Sequence, residues 1–291
     1  MTGTILTSVN LPNVLATASF PVANANLATS LATSFSFATP IFPLASFSNA
    51  SFASASATAS FTTANAENNN AELAEFAEFD LHVHSRYSHD SLSKPEDIAR
   101  RAVRLCLRGL SVNDHNSLKG GLETASFAKK NHLNLVIAPS EEVNTNAGDI
   151  IGLFLNEEVR ERNVFEAIDL IKQQDGLVVL PHPFRQHDSR TIKEIAKRVD
   201  VIETINARTY FKKNAQAADL ASKLRKPTSG GSDAHFVTEI GLARTVFKRE
   251  IENEEELRKA LKKGLGKPKL LGVNPLARLA TQATKIFKHF L

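Results

Sequence analysis

The densest run of side chains able to do chemistry is Asp80-Leu-His82-Val-His84-Ser-Arg-Tyr-Ser-His89-Asp90. In an extended strand alternate side chains share a face, so Asp80, His82 and His84 point one way while Leu81 and Val83 enter the surrounding packing. Two imidazoles about 7 Å apart along a strand can converge on one metal ion. A His-x-His pair alone is weak evidence, because surface histidines are common. What strengthens it is recurrence. Asp114-His115 follows Leu110-Ser-Val, Glu141-Glu142 follows Leu135-Val-Ile-Ala-Pro, His182 sits between two prolines after Leu177-Val-Val-Leu, and Asp233-Ala-His235 closes Thr228-Ser-Gly-Gly-Ser. Of nine histidines, His82, His84, His115, His182 and His235 fall at the ends of β-type runs, whereas chance placement would scatter more of them along helices.

The elements that position these groups alternate along the chain. Strands are predicted at 79–84, 109–113, 133–138, 149–155, 177–180, 199–205, 227–232 and 242–247, with helices near 95–107, 118–131, 164–174, 191–198, 214–226 and 254–263. Ser93, two residues before Pro95 and Glu96, reads as a helix start. Seven or eight strand and helix pairs in about 200 residues predict an α/β parallel barrel rather than a sandwich. In such a barrel the strand C-termini open onto one face, so residues far apart in sequence gather in one bowl. The tail from Asn274 places Leu276, Leu279, Ala283, Phe287 and Phe290 near helical spacing, with Arg278, Lys285 and Lys288 elsewhere. It is expected to dock on its own domain, the alternative being a membrane-surface or partner helix.

Composition bounds the rest. The chain has 291 residues, 35 Lys and Arg against 31 Asp and Glu, and no charged side chain before Glu67. The remaining length suits one large domain. One cysteine excludes a disulfide framework and any Cys-rich zinc module, leaving His and carboxylates as metal ligands. Cys106, in a helical run, reads as a small core residue. A net charge of +4 without a long basic block gives a mild bias towards anionic partners. Residues 1–66, rich in Ala, Ser, Thr, Asn and Phe without periodicity, read as disordered. They lack the cationic start and unbroken apolar run of a secretory signal, and the arginines of a transit peptide. No run of about 18 apolar residues exists to span a membrane. A cytoplasmic protein is expected. Met1 is the single methionine, in keeping with a coding start placed upstream of the natural one.

Six segments in order, Asp80-Leu-His-Val-His-Ser, Asn113-Asp-His-Asn, Pro139-Ser-Glu-Glu-Val, Pro181-His-Pro-Phe, Glu203-Thr-Ile-Asn206 and Gly231-Ser-Asp-Ala-His, make residues 79–267 resemble the Polymerase and Histidinol Phosphatase (PHP) family of metal-dependent phosphoesterases. The resemblance implies a distorted (β/α)7 barrel at 76–272, after a low-complexity segment at 1–75 and before an amphipathic helix at 273–291. It also implies two or three divalent ions (zinc, manganese or iron) at the strand C-termini. Carried over by position, His82, His84, Glu142 and Asp233 resemble the ligands of a first ion and Asp90, His115 and His235 those of a second. Glu142 would bridge to a third ion also held by His182. Asp90 is preferred to His89, and Glu142 to Glu141, by their place in the family's pattern. Glu142, Asp233 and His235 form the implied catalytic set. Asp80 and Asp114 would either fix imidazole tautomers or cap strand ends. The chain departs from the pattern at Gly148-Asp149-Ile-Ile-Gly152, where members with a third ion have a histidine. Either Asp149 supplies an oxygen instead or that ion is weak or absent. Asn113 stands where Thr is frequent.

Clustered divalent ions lower the pKa of a bound water, so that hydroxide exists near neutral pH, and neutralise charge on phosphoryl oxygens during in-line displacement. The expected function is therefore hydrolysis of phosphate monoesters or nucleic-acid ends, of the nucleotide phosphatase or 5′ to 3′ exonuclease type. The expected partner is a phosphorylated small molecule or a nucleic-acid end, with no obligate protein partner evident. Arg185 and Arg208, beside the expected bowl, are candidates to grip substrate phosphate, and His187 to protonate the leaving alcohol. Two alternatives stand. One is a non-catalytic module that binds metal or nucleotide. The other is amidohydrolase-type C–N hydrolysis, against which stands the lack of a lysine at a strand end.

Overall fold

The computed structural model describes residues 76–185 and 191–289. The expectations for residues 1–75, His187 and Phe290 lie outside the described residues. Among the described residues, nine strands and seven α-helices follow one another as β1 (Ala77–Val83), α1 (Pro95–Arg104), β2 (Gly109–His115), α2 (Lys119–Lys130), β3 (Val136–Thr145), β4 (Gly148–Leu153), α3 (Val164–Gln173), β5 (Leu177–Leu180), α4 (Ile192–Arg198), β6 (Val201–Asn206), α5 (Phe211–Leu224), β7 (Thr228–Gly231), β8 (Ala243–Phe247), α6 (Glu254–Lys262), β9 (Lys267–Leu270) and α7 (Ala277–His289). The strands form one sheet in the order β7-β6-β5-β4-β3-β2-β1-β8-β9.

The sheet curls until the end of β7 meets β1. The Asp233 amide donates to the His82 carbonyl at 2.7 Å, the His84 amide donates to the Ala234 carbonyl at 2.8 Å, and Val83 bridges Ala234 in parallel. This closure needs Gly231, because a Cβ there would lie 2.4 Å from the His82 Cβ. The result is a barrel-like α/β fold whose distortion is local. β4 runs antiparallel to both β3 and β5, and β8 and β9 are also antiparallel to their neighbours, while β1-β2-β3 and β5-β6-β7 are parallel. No helix separates β3 from β4. Their connection is a hairpin, so the purely parallel reading is corrected at that point. One consequence concerns Asp149, at the start of β4 opposite Asn144 near the end of β3. Because β4 is reversed, its beginning lies on the rim where the parallel strands end.

Apolar side chains from the helices pack on the sheet in separate clusters. Ile98, Ala102 and Ala128 of α1 and α2 meet Leu110, Val112 and Ile137, while Ile168, Ile171, Ile195 and Leu220 of α3 to α5 meet Ile150, Val178, Leu180 and Ile202. Phe79 and Phe247 stand edge to face, 5.8 Å apart, beside Leu257 and Leu261 of α6. Val83 and Leu81 are buried in this packing as the alternation required.

Three expectations change. Helix α1 ends at Arg104, so Cys106 lies beyond it, exposed, with φ 53°, rather than in the core. Ser93 does not cap α1; Lys94 is the capping residue, and the Ser93 hydroxyl donates instead to the His235 carbonyl. Helix α7 docks, but through a different face from the one expected. Ala277, Thr281 and Thr284 are buried, whereas Leu276, Leu279 and Phe287 are 66%, 71% and 55% exposed. The wall it covers is polar, and small and polar side chains suit it better than leucine.

Candidate metal centre

β1 delivers His82 and is followed directly by His84, β2 delivers His115, β3 delivers Glu142, the segment after β5 delivers His182, and the segment after β7 delivers Asp233 and His235. Asp90 comes from the loop after β1. Their donor atoms form three overlapping groups: His84, Asp90, His115 and His235; His82, Glu142 and His182; and His82, His84 and Asp233. Every residue expected as a ligand is therefore at one rim. Glu142 lies at the centre, with Oε1 3.0 Å from His182 Nε2 and Oε2 3.6, 3.4 and 3.4 Å from His82 Nε2, His84 Nε2 and His115 Nδ1. Asp233 Oδ1 is 3.8 and 3.5 Å from His82 Nε2 and His84 Nε2, and Asp90 Oδ2 is 3.0 and 3.7 Å from His235 Nε2 and His115 Nε2.

These spacings fit cations. Donors about 2.1 Å from a tetrahedral ion lie about 3.4 Å from one another. Among the buried side-chain atoms that make no hydrogen bond are His82 Nε2, His84 Nε2, Asp233 Oδ1 and Asp90 Oδ1. A buried polar atom without a partner is costly, so four in one place mark a position for a ligand.

The imidazoles are oriented from behind. His82 Nδ1 is 3.0 Å from Glu203 Oε1, and a carboxylate accepts, so the proton sits on Nδ1 and Nε2 faces the centre. His235 Nδ1 donates to the Asp233 carbonyl at 2.9 Å. His84 Nδ1 meets Ser88 Oγ at 3.0 Å, and that hydroxyl donates to Asp114 at 2.9 Å, which leaves it accepting from the imidazole. Asp114 thus steers His84 through one hydroxyl, and bonds to no imidazole among the described residues. Asp80 accepts from Ser232, Gly241 and the His82 amide and fixes strand ends, so its expected alternative role as an imidazole partner is not seen.

Glu203 was the residue whose role sequence reasoning missed. It also accepts from the His182 amide at 2.9 Å and from Asn206 Nδ2 at 3.0 Å, while Asn206 Nδ2 reaches Asp233 Oδ2 at 3.1 Å. Strand alternation puts residues three apart on opposite faces, but the β6–β7 register shifts between Glu203 and Ile205, which brings both side chains to one rim. The motif Glu203-Thr-Ile-Asn206 was the available signal. His182 and Asp233 have φ of 29° and 56°, backbone conformations that non-glycine residues hold mainly where surroundings enforce them.

The neighbouring candidates differ in direction. Glu142 enters the cluster, whereas Glu141, on the other face of β3, accepts from the Val159 amide at 2.5 Å. Asp90 is buried among histidines, while the His89 side chain is 58% exposed at the pocket edge. Asp149 lines the same pocket and accepts from Asn144 at 2.7 Å, yet it belongs to none of the three donor groups. Arg185 lies 2.5 Å from Asp233 Oδ2. Arg208 lines the pocket, but its NH groups donate to the Asp233 and Ala277 carbonyls and to Thr281 Oγ1.

Burial opposes charge throughout the cluster, and mixed signs override it. Against burial, Glu203, Asp233 and Glu142 hold the His82 pKa well above its ordinary value, and Glu142 and Asp90 push His115 up to about 9. Burial, reinforced by His235 and His115, brings His84 down to about 3. Burial would raise the carboxylates, yet His115 and His82 hold Glu142 well below the usual range, Arg185 and His82 do so for Asp233, and His115 and His235 lower Asp90. The site therefore presents charged carboxylates and an internal supply of protons, which a divalent cation would displace.

Comparison with known proteins gives the same grouping. A family model described as PHP domain matches residues 80–220, and one described as PHP-associated matches 211–265. An uncharacterized protein of Methanocaldococcus jannaschii is 34% identical over 189 residues, 61% of this chain and 74% of its own length. A DNA polymerase III subunit alpha of Buchnera aphidicola is 46% identical over 59 residues, 20% of this chain and 5% of the polymerase. A two-domain protein of Bacteroides vulgatus described as containing a PHP-like metal-dependent phosphoesterase superposes with a TM-score of 0.58 at 18% identity, over 67% of this chain and 65% of that one. This chain belongs to the PHP domain family.

Proposed function

We propose that the protein is a metal-dependent phosphoesterase acting on phosphate monoesters or nucleic-acid ends. The observation that carries the reading is Glu142, surrounded by His82, His84, His115 and His182 beside buried donor atoms that lack hydrogen bonds, at the base of an open pocket of about 520 Å³. When bound, divalent ions acidify a water and neutralise phosphoryl charge. His82, His84, Glu142 and Asp233 would hold one, Asp90, His115 and His235 a second, and Glu142 with His182 a third. Glu203, Ser88 and the Asp233 carbonyl keep Nε2 of His82, His84 and His235 turned inward. Arg185 is fully charged beside Asp233 and faces the pocket, placed to hold phosphoryl oxygens. Arg208 is tied to the protein and acts by positioning. With no cysteine or serine required as nucleophile, hydrolysis by water fits the residues present.

A screen of purified protein with added zinc, manganese or iron against p-nitrophenyl phosphate, nucleoside bisphosphates and short 5′-phosphorylated oligonucleotides tests this. Turnover of the small esters supports the phosphatase form. Turnover of oligonucleotides alone supports the nuclease form, and no turnover at full metal occupancy would favour a binding module.

A further inference from the structure

Resting on the phosphoesterase reading, we infer that α7 and the first turn of α5 form a second anion subsite, made by Lys213, Arg278 and Lys285. The substrate it selects carries a second phosphate beyond the scissile one. Helix α7 lies outside the segments matched by the family models, which end at residue 265. Its 13 residues span about 20 Å at 1.5 Å per residue. Both ends are pinned to the rim. Arg208, two residues beyond β6, holds the Ala277 carbonyl and Thr281 Oγ1 at the start of the helix. At its end Lys288 Nζ donates to the carbonyls of Arg86, Ser88 and Ser91 in the loop after β1. The pocket-facing side of α7 is thereby fixed over the donor cluster, and Lys285 Nζ comes within 3.4 Å of Asp90 Oδ2.

Charge then decides what the pocket accepts. It is lined by the carboxylates of Asp90, Glu142, Asp149 and Asp233 and by five cations, Arg185, Arg208, Lys213, Arg278 and Lys285. Two divalent ions would offset those four carboxylates, leaving the five cations facing the ligand. A monoester dianion offsets two of them. Arg185 is at the metal side beside Asp233, and Arg208 is committed to holding α7. Lys213 makes no ion pair among the described residues. The Arg278 guanidinium donates to the Arg208 carbonyl at 3.0 Å and lies over the Tyr210 ring at 4.5 Å, meeting no carboxylate among the described residues. Three like charges gathered in one pocket repel, and a second phosphate relieves that repulsion. The same chemistry is offered by a small bisphosphate and by the next phosphodiester of an oligonucleotide.

Calorimetry on the metal-loaded full chain tests the subsite, using thiophosphate analogues of adenosine 5′-monophosphate, adenosine 3′,5′-bisphosphate and 5′-phosphorylated di- and trinucleotides. The expected result is binding of the bisphosphate about tenfold or more tighter than the monophosphate. In the Arg278→Gln/Lys285→Gln variant that ratio falls to about threefold or less, and in the charge-retaining Arg278→Lys/Lys285→Arg variant it survives. A 5′-phosphorylated dinucleotide that gains over the monophosphate as the bisphosphate does assigns the second phosphate to a strand, and a dinucleotide that binds like the monophosphate assigns it to a small molecule. Either supports the subsite. Equal binding of mono- and bisphosphate by the natural protein, or an unchanged ratio in the glutamine variant, overturns it. If no ester is hydrolysed while the ratio behaves as expected, the phosphoesterase reading fails and the subsite stands; hydrolysis without preference gives the reverse.

Discussion

Asp233→Asn is the most informative single change, because the structure dictates which way the new amide must face. Asp233 Oδ2 accepts from Arg185 at 2.5 Å and from Asn206 Nδ2 at 3.1 Å, and both partners can only donate there. The asparagine must therefore keep its carbonyl oxygen on that side. Its NH2 group replaces Oδ1, the atom 3.5 and 3.8 Å from His84 Nε2 and His82 Nε2 that lacks a hydrogen bond. An N–H donor now points where a cation would sit. Ligation is lost outright rather than weakened. Asparagine also tolerates the φ of 56° at this position, so the backbone is not disturbed. Loss of the partner of a ligating histidine costs about 10- to 100-fold in affinity, and loss of a ligand should reach at least the upper figure, about 2.8 kcal/mol. Zinc affinity, measured by competition with a chromogenic chelator, should fall about 100-fold or more, and turnover by several orders of magnitude at fixed metal. The metal-free variant should keep its far-ultraviolet circular dichroism. Affinity within about threefold of the natural protein would refute the assignment of Asp233 as a ligand and, with it, the geometry above.

Glu203→Gln removes the carboxylate that fixes His82, and should weaken metal binding about 10- to 100-fold without removing a ligand; an unchanged dissociation constant would count against the orienting role. Glu142→Gln should abolish binding at its shared site. In contrast, Glu141→Gln should leave metal affinity alone and, since burial pushes Glu141 up to about 7, raise stability at pH 8 by about 1 kcal/mol or more in denaturant unfolding. The metal-free protein should show two limbs of stability. His82 and His115 have raised folded pKa values, so their contribution is complete below about 6.5 and is lost as pH rises, through about 9 for His115; the depressed carboxylates Glu142, Asp233 and Asp90 contribute above about 4, and that stability is lost on acidification. Metal affinity should run the other way on the alkaline side, rising towards pH 9 with proton release detectable by calorimetry in buffers of different ionisation enthalpy.

What could be read in the chain was whatever depends on short periodicities. The alternation of Asp80, His82 and His84 with Leu81 and Val83 fixed a strand face, and the β-type runs before His115, His182 and Asp233 placed each of them at a strand end, whereas Glu142, expected beyond a strand ending at 138, lies within β3, which runs on to Thr145. What escaped depends on departures from period. The reversed β4 is one, since the short turn after Thr145 carries no signal of direction beyond its length. The register shift in β6 is another, and it concealed that Glu203 and Asn206 share a rim. Strand β9, Lys267–Leu270, is largely exposed and lacks alternation, so nothing marked it. Helix α7 misled for a different reason. Its apolar spacing was real, but the surface available to it was the polar mouth of the pocket, and burial followed the partner surface rather than the stripe.

The cluster also explains why the barrel tolerates so much buried charge. Imidazoles and carboxylates from β1, β2, β3 and the segments after β1, β5 and β7 meet within a few ångströms, and without metal their opposite charges offset one another, His115 being pushed up to about 9 by Glu142 and Asp90 while His115 and His82 hold Glu142 low. That arrangement costs desolvation at every member. A cation bound by these groups would join both sides of the β7 to β1 closure, which the backbone holds through few hydrogen bonds. Binding to the folded state alone stabilises it by mass action. The same residues that would polarise a phosphate would therefore also clasp the barrel, and substitutions at Glu203 or Gly231, neither of them in the donor groups, are expected to act on both functions at once.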